Sequence, residues 1–226
     1  VDFYDKKIIA SGLWDGFLFD NTWQKISGLG QAVDINNDGR NDSNAEADRI
    51  WFDAYNTFFK KLRERIGSGY LIITNGDGDY STYANGRMFE SFPEYWEGGW
   101  SAQMNALKRQ QESGFRPRLN IINADSNNTG NQNDFKTMRF GLTSALMFDA
   151  YYSFDYGPAL REHLWWYDEY EADLGKPLGS AFNLLGSSNN WQEGLWQRDF
   201  ENGIVLINST NREQKITFEA DYEKLK

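Results

Sequence analysis

Apolar and polar positions along the chain follow two rhythms. Ala47, Ile50, Trp51, Ala54, Tyr55, Phe58, Leu62 and Ile66 recur at steps of three and four, which gathers them on one face of a long helix. Around it stand short apolar runs, at 16–20, 70–75, 87–90, 118–123 and 147–152, each of a length that suits a buried strand. Further helices are predicted through Trp96, Trp100, Met104 and Leu107 to Ser113-Gly114, and from about Asp134 to Ala145. The opening "DFYDKKIIASG" reads as the last turns of another, ended by Gly12. Strand alternating with helix predicts a parallel sheet with crossover helices. After residue 190 the rhythm changes. "LWQRDFENGIVLINSTNREQKITFEA" alternates residue by residue, with turns at Asn202-Gly203 and near Ser209 to Arg212, and predicts an antiparallel meander of about three strands. The expected organisation is an α/β portion over 1–180 and a β-meander over 190–226.

Four of the parallel strands end on or beside a polar group: Asp20-Asn21, Asn75, Glu90, and Asn123-Ala124-Asp125. The fifth run carries Asp149. In a (β/α)8 barrel the reactive groups sit at the carboxyl ends of several strands, and an open doubly wound sheet binds ligands there too. No glycine-rich phosphate loop opens any of these helices, so a nucleotide-binding sheet loses support. The strand ends therefore read as an active-site rim. Trp14 and Trp23 flank Asp20 and are expected to grip a substrate ring, with Asn75 and Asp125 as further substrate-binding groups.

Composition narrows the chemistry. The 226 residues carry a net charge of −10, which argues against nucleic acid as a partner because phosphate binding needs a basic surface. There is no cysteine and a single histidine, His163, so thiolate sites and histidine-rich zinc sites are excluded. No nucleophile motif accompanies His163, which reads as a packed or surface residue. Acid–base work falls to carboxylates, of which there are 33. No apolar run approaches the roughly 20 residues of a membrane helix. The chain starts at Val1 with no leader-like segment near it, as expected of a processed chain or a piece of a longer one.

"WDGFLFDNTW", "NGRMFESFP", "RLNIINAD", "RFGLTSALMFDAYYSFD", "LWWYDEY", "LGKPLG" and "RDFENGIVLINST", in that order, resemble a group of TIM-barrel glycoside hydrolases with a C-terminal β-domain, known mainly from sequence. The resemblance implies a (β/α)8 barrel of which this chain holds the later strands, the rest coming from a missing half or another chain. It also implies a carbohydrate partner. Glycoside cleavage commonly uses two carboxyl groups, about 5–5.5 Å apart for retention and about 6.5–9.5 Å apart for inversion. If the strands are the fourth to eighth, Asp20 closes the fourth and Glu90 the sixth. Asp20 is then expected as nucleophile or base and Glu90 as general acid, with Asp149 supporting them. The alternative is a non-catalytic extracellular protein, structural or carbohydrate-binding, that keeps the fold.

Two other stretches carry chemistry. In "DINNDGRND", Asp34, Asn36 and Asp38 alternate, Gly39 permits a sharp turn, the Arg40 carbonyl follows, and Asp42 comes next. That is the spacing of an EF-hand-type loop, so Ca2+ is the expected cofactor. The twelfth position, where a bidentate acid belongs, is Ala45. Glu46, one residue late, fits a capping box with Ser43 instead. Because extracellular calcium fills even weak sites, the loop leans toward a secreted protein or cell-surface setting. In "HLWWYDEYEADLG", Trp165, Trp166, Tyr167 and Tyr170 stand beside Asp168, Glu169 and Glu171. Rings with acids suit a sugar subsite, while filling the space beside the β-domain is the competing use.

Overall fold

The computed structural model describes residues 1–218 and Tyr222. It is α/β, with parallel strands joined by helices and a separate three-stranded antiparallel sheet. The chain divides into two compact units, Val1–Met88 with Arg109–Asn120, and Phe89–Lys108 with Ile121–Lys226. Among the described residues no helix is long and apolar enough to cross a membrane.

In the first unit β1 (Gly16–Phe19) lies parallel to β2 (Leu71–Asn75), with Gly16 opposite Leu71 and Phe19 opposite Thr74. β2 in turn pairs in parallel with β3 (Gly86–Phe89). The connection from β1 to β2 is α1 (Asn44–Ile66), whose Ser43 hydroxyl accepts the Glu46 N–H and so satisfies one of the free donors of its first turn. The reciprocal half of the capping box is replaced. The Glu46 carboxylate turns outward to the Arg49 guanidinium at 2.7 Å. The apolar stripe of α1 buries Ala47, Phe59, Leu62 and Ile66, and the last three join a core with Ile72, Tyr80 and Ala84. Removing such side chains from water supplies about 1.5–3 kcal/mol apiece.

Arg63 lies inside this unit. Its guanidinium donates to the carbonyls of Gly67, Tyr70 and Tyr83 and to the Asn85 side chain, and stacks 4.0 Å over the Phe115 ring. Burial pulls its pKa below the usual guanidinium value. The Gly67 carbonyl at the C-cap of α1 is thereby satisfied from within.

In the second unit β4 (Ile121–Asp125) lies parallel to β5 (Tyr151–Asp155), register for register, so that Asp125 stands opposite Asp155. Between them runs α3 (Phe135–Leu146), its Asp134 side chain accepting from Thr137 N–H. Ala124, Met138, Phe154 and Tyr167 form one core, and Trp100, Met104, Leu107, Trp191 and Trp196 belong to another. Trp191 and Trp196 stack with centroids 3.9 Å apart. α2 (Gly99–Ser113) contributes Trp100, Met104 and Leu107. The antiparallel sheet is β6 (Phe182–Asn183), β7 (Leu195–Phe200) and β8 (Gly203–Asn208). The β7–β8 turn falls at Glu201-Asn202, one residue before the expected Asn202-Gly203, because Gly203 already pairs with Phe200 as the first residue of β8. The sheet's third strand precedes β7. Among the described residues none follows residue 212, where Asn208 folds the chain into a side-chain-bonded turn with Thr210 and Arg212. The end of the expected third strand, at 219–220, lies outside the described residues.

Two strands sit later than the apolar runs imply. Residues 118–120 are taken up by local pairing, Leu119 N–H to the Asn85 carbonyl and Asn120 Oδ1 to Arg87 N–H. Met147 and Phe148 are buried or half-buried as the end of α3, their N–H groups donating to the carbonyls of Thr143 and Ala145. A short apolar run cannot by itself distinguish a strand from a helix end. The consequence is that β5 ends on Asp155 and Asp149 comes before it.

Arg63→Met should lower the free energy of unfolding by about 2–4 kcal/mol, because the carbonyls of Gly67, Tyr70 and Tyr83 and the buried Asn85 side chain lose a charged donor. Denaturant titration with an unchanged slope checks this, and a loss under about 0.5 kcal/mol would contradict it.

Candidate functional site at the carboxyl ends of the strands

In the first unit the chain leaves β1 at Asp20 and turns sharply through Asn21, which has φ 57°. The turn points the Asn21 N–H back at the Asp20 carboxylate, 2.8 Å away, and the Asn75 amide at the end of β2 donates to the same oxygen at 3.1 Å. Asp20 is exposed, so the donors orient it while solvent reaches it. Its negative charge, after burial and Tyr4, helps raise the Tyr55 phenol. Only glycine fits at position 76, where φ is +145° and a Cβ would come 2.7 Å from the Thr22 backbone. Trp23 is half-buried, its carbonyl accepting from Trp51 Nε1 and the Tyr80 hydroxyl. Trp14 is 61% exposed but precedes β1. It therefore lies at the amino end of the strand that Asp20 closes, while Trp23 follows Asp20 beyond the carboxyl end.

The second unit gathers five strand-end groups around one guanidinium. Arg161 Nε meets Glu90 Oε1 at 2.6 Å, its Nη2 donates to Ser91 Oγ at 2.8 Å, and its Nη1 donates to Asn123 Oδ1 at 2.9 Å. Nη1 also lies 3.2 Å from Asp155 and 3.4 Å from Asp125. Both aspartate side chains are nearly buried, at 3% and 8% exposure, while Glu90 keeps 35%. The carboxylates are tied further. Ser91 Oγ donates to Asp125 Oδ2, Asn123 Nδ2 to Asp155 Oδ2, Asn127 N–H to Asp125 Oδ1, and Gly157 N–H to Asp155 Oδ1. Ser91 occupies the left-handed region at φ 50°, a cost of order 1–3 kcal/mol for a serine that the bonds to Asp125 and Arg161 offset. Such strain collects where geometry matters more than stability.

Glu94 stands beside this cluster with a different environment. Its pKa is raised, first by burial and then by the negative charges of Asp125, Glu97 and Glu90, with Arg161 opposing. Its backbone N–H donates to Gln103 Oε1, and the same glutamine donates to Glu97. One carboxyl is thus held against a cation and a neighbouring one is biased toward its protonated form. That division is what acid–base chemistry with carboxyl groups needs.

Arg161, Asp155, Ser91 and Glu94 were not among the residues picked out by the strand-end argument. Asp155 would have been, had β5 been set four residues later, since "SFDYG" repeats the pattern of strand, acid, then a turn seen at "FLFDN". Asp149 is 69% exposed and pairs with Arg198, whose other donors reach the carbonyls of Leu146 and Gly179. It ties α3 to the antiparallel sheet and has no place at a strand's carboxyl end. His163 is exposed, with its ring edge-on to Tyr156.

In the 34–42 loop, Asp34 accepts from the N–H groups of Asp38 and Gly39, Asn36 Oδ1 from Asp38 N–H, and Asp38 Oδ1 from Arg40 N–H. Asn37 and Gly39 both have positive φ. Asp42 accepts from Ile35 N–H and from the Asn36 amide. Among the described residues no group of three or more His, Cys, Asp or Glu is gathered around a metal position.

A family model described as hypothetical glycosyl hydrolase family 15 matches residues 4–204, and the chain belongs to that family. Comparison with curated proteins gives no match.

Arg161→Met should cost about 3–5 kcal/mol of stability, because it leaves Asp125 and Asp155 charged, buried and unpaired. Arg161→Lys restores a cation without the planar fork and should recover part of that loss. Urea titration of both variants checks this. A loss below about 1 kcal/mol in Arg161→Met, or in Arg161→Lys should the first variant fail to fold, would contradict it.

Proposed function

We propose that this family member hydrolyses glycosidic bonds with carboxyl groups presented at the carboxyl ends of its parallel strands, on a (β/α)8-type scaffold. The observation that carries the reading is the Arg161 cluster, which orients Glu90 at a strand end and sets a raised Glu94 beside it. Barrel enzymes draw their reacting groups from the ends of several strands. A two-carboxyl mechanism needs an anion and a proton donor. On the order of motifs in the sequence, the anion that attacks the sugar carbon or activates water is assigned to Asp20, which receives two N–H donors besides its own neighbour's backbone. Glu90, expected from the sequence as the acid, is held by the Arg161 guanidinium at 2.6 Å. Glu94 suits the donor. It would protonate the leaving oxygen as the glycosidic bond breaks, and Glu90 would keep it from ionising early.

The sign of the pH dependence follows from the upward shift of Glu94 from 4.5. The proton it donates is present below the raised value and lost above it, so activity falls on the alkaline side. The stability cost of charging Glu94 is absent below about 4.5 and grows as pH rises through the raised value. Glu94→Gln should therefore erase the alkaline limb and lower turnover of alkyl glycosides about 10²–10⁴-fold, while sparing aryl glycosides whose leaving group needs no proton. Asp20→Asn should abolish turnover of both. A screen of neutral aryl and alkyl glycosides with each variant, and with Glu90→Gln, tests the roles. If Glu90→Gln alone spares the activated substrates, Glu90 is the acid. If all variants match the wild type, the reading fails.

We also propose that the 34–42 loop takes Ca2+ through Asp34, Asn36, Asp38, the Arg40 carbonyl and Asp42, and that the protein works outside the cell. What supports this is the oxygen spacing and the two positive-φ turns that bend the loop back on Asp34. Calorimetry should record calcium binding in the millimolar range or tighter, reduced at least tenfold in Asp34→Asn. No heat at millimolar calcium would end the proposal.

A further inference from the structure

At the amino end of α3, in the second unit, the chain forms an open cavity of about 410 Å³ between residues 132–139 and 165–169. None of its lining residues belongs to the Arg161 cluster. Its walls are Phe135, Trp165, Trp166 and Tyr167, and its polar groups include Arg139 and Glu169. Trp166 is 72% exposed and Phe135 is 40% exposed. Large rings left in water beside a cavity call for a reason, since burying them would stabilise the fold.

The rings are held rather than loose. Trp166 Nε1 donates to Glu171 Oε1 at 3.3 Å, and its ring meets Tyr170 edge-on with centroids 5.3 Å apart. Phe135 lies edge-on to Tyr167 and 5.0 Å beneath the Arg139 guanidinium. Arg139 Nε donates to Glu169 Oε1 at 2.6 Å. The Tyr167 hydroxyl donates to the Gln132 carbonyl at 2.7 Å, which pins the segment leaving β4 against the aromatic one. Residues 126–134 connect Asp125, at the carboxyl end of β4, to α3. The cavity therefore opens on the loop that leaves one of the reactive strand ends.

We infer that this cavity is a binding site for a neutral sugar ring, a subsite for the glycan whose cleavage is proposed above, and it rests on that reading for its ligand class. An exposed indole offers a flat face to the C–H side of a pyranose, while a carboxylate, a guanidinium and the amides of Gln132 and Asn133 offer both acceptors and donors to hydroxyls. The volume lies at the small end of the range of about 300–1,000 Å³ for small-molecule clefts, room for one or two rings. Charge selects among sugars. Asp168 and Glu169 line the cavity, Glu171 holds Trp166, and the one lining cation is already paired. With a chain charge of −10, uronic-acid or sulfated glycans would be repelled.

The test uses the full chain, with cello-, malto- and xylo-hexaose as neutral probes and oligogalacturonate as the anionic one. Binding is read by calorimetry and tryptophan fluorescence in the wild type and in Trp166→Ala, an exposed substitution whose folding is checked by circular dichroism. Turnover of an aryl monoglycoside is measured alongside. The inference expects at least one neutral hexaose to bind, at least tenfold more weakly in Trp166→Ala. Equal binding in both proteins, binding of oligogalacturonate alone, or no binding of any probe would overturn it, and in each case retained turnover leaves the proposed hydrolysis standing. Trp166-dependent binding with no turnover of any substrate would support the subsite and sink the hydrolysis.

Discussion

The second unit turns on one guanidinium. Two aspartates at the ends of adjacent parallel strands are almost without solvent, and like charges in that position repel each other unless a cation stands between them. Arg161 supplies it. Its planar fork reaches Glu90, Ser91, Asn123, Asp125 and Asp155, and no lysine could serve so many partners at once. Every one of these groups lies within two residues of the carboxyl end of a strand. The left-handed turn at Ser91 follows from the same demand, since its hydroxyl must face both Asp125 and Arg161.

Chemistry follows from the way this cation sorts its neighbours. Glu90, Asp125 and Asp155 are in contact with Arg161. Glu94, partly buried and facing several of those charges, gains from keeping its proton. The raised Glu94 and the carboxylates that raise it lie within one unit, with no histidine involved. That matters in a chain whose only histidine is exposed and whose charge is strongly negative.

Much of this was legible along the chain. The α1 stripe, the Ser43 cap, the β7–β8 turn and the acids closing β1 and β3 follow from periodicity and capping chemistry, which are local. What escaped was set by distance in the chain or by competition between local options. Arg161 meets Ser91 across 70 positions and Asp125 across 36, and the pairing of β4 with β5 brings the second pair together. Asp149 was favoured over Asp155 because "ALMFDA" reads equally as strand or helix end, and the unfilled carbonyls of α3 decided for the helix. Trp14 and Trp23 are parted for a simpler reason. A four-residue strand separates its two ends, and Trp14 belongs to the first. Glu94 carries no local signature at all, since its raised proton affinity comes from burial and from charges brought near by the fold.

The most direct test of the Arg161 account is a double-mutant cycle with Asp155→Asn, read by urea unfolding. If the guanidinium exists to neutralise buried carboxylates, removing one of them relieves the penalty that Arg161→Met creates. The double variant should then be more stable than the two single losses add up to, by at least about 1 kcal/mol. Losses that add within about 0.3 kcal/mol would mean that Arg161 and Asp155 are not coupled. The cluster would then have no claim to organise the strand ends.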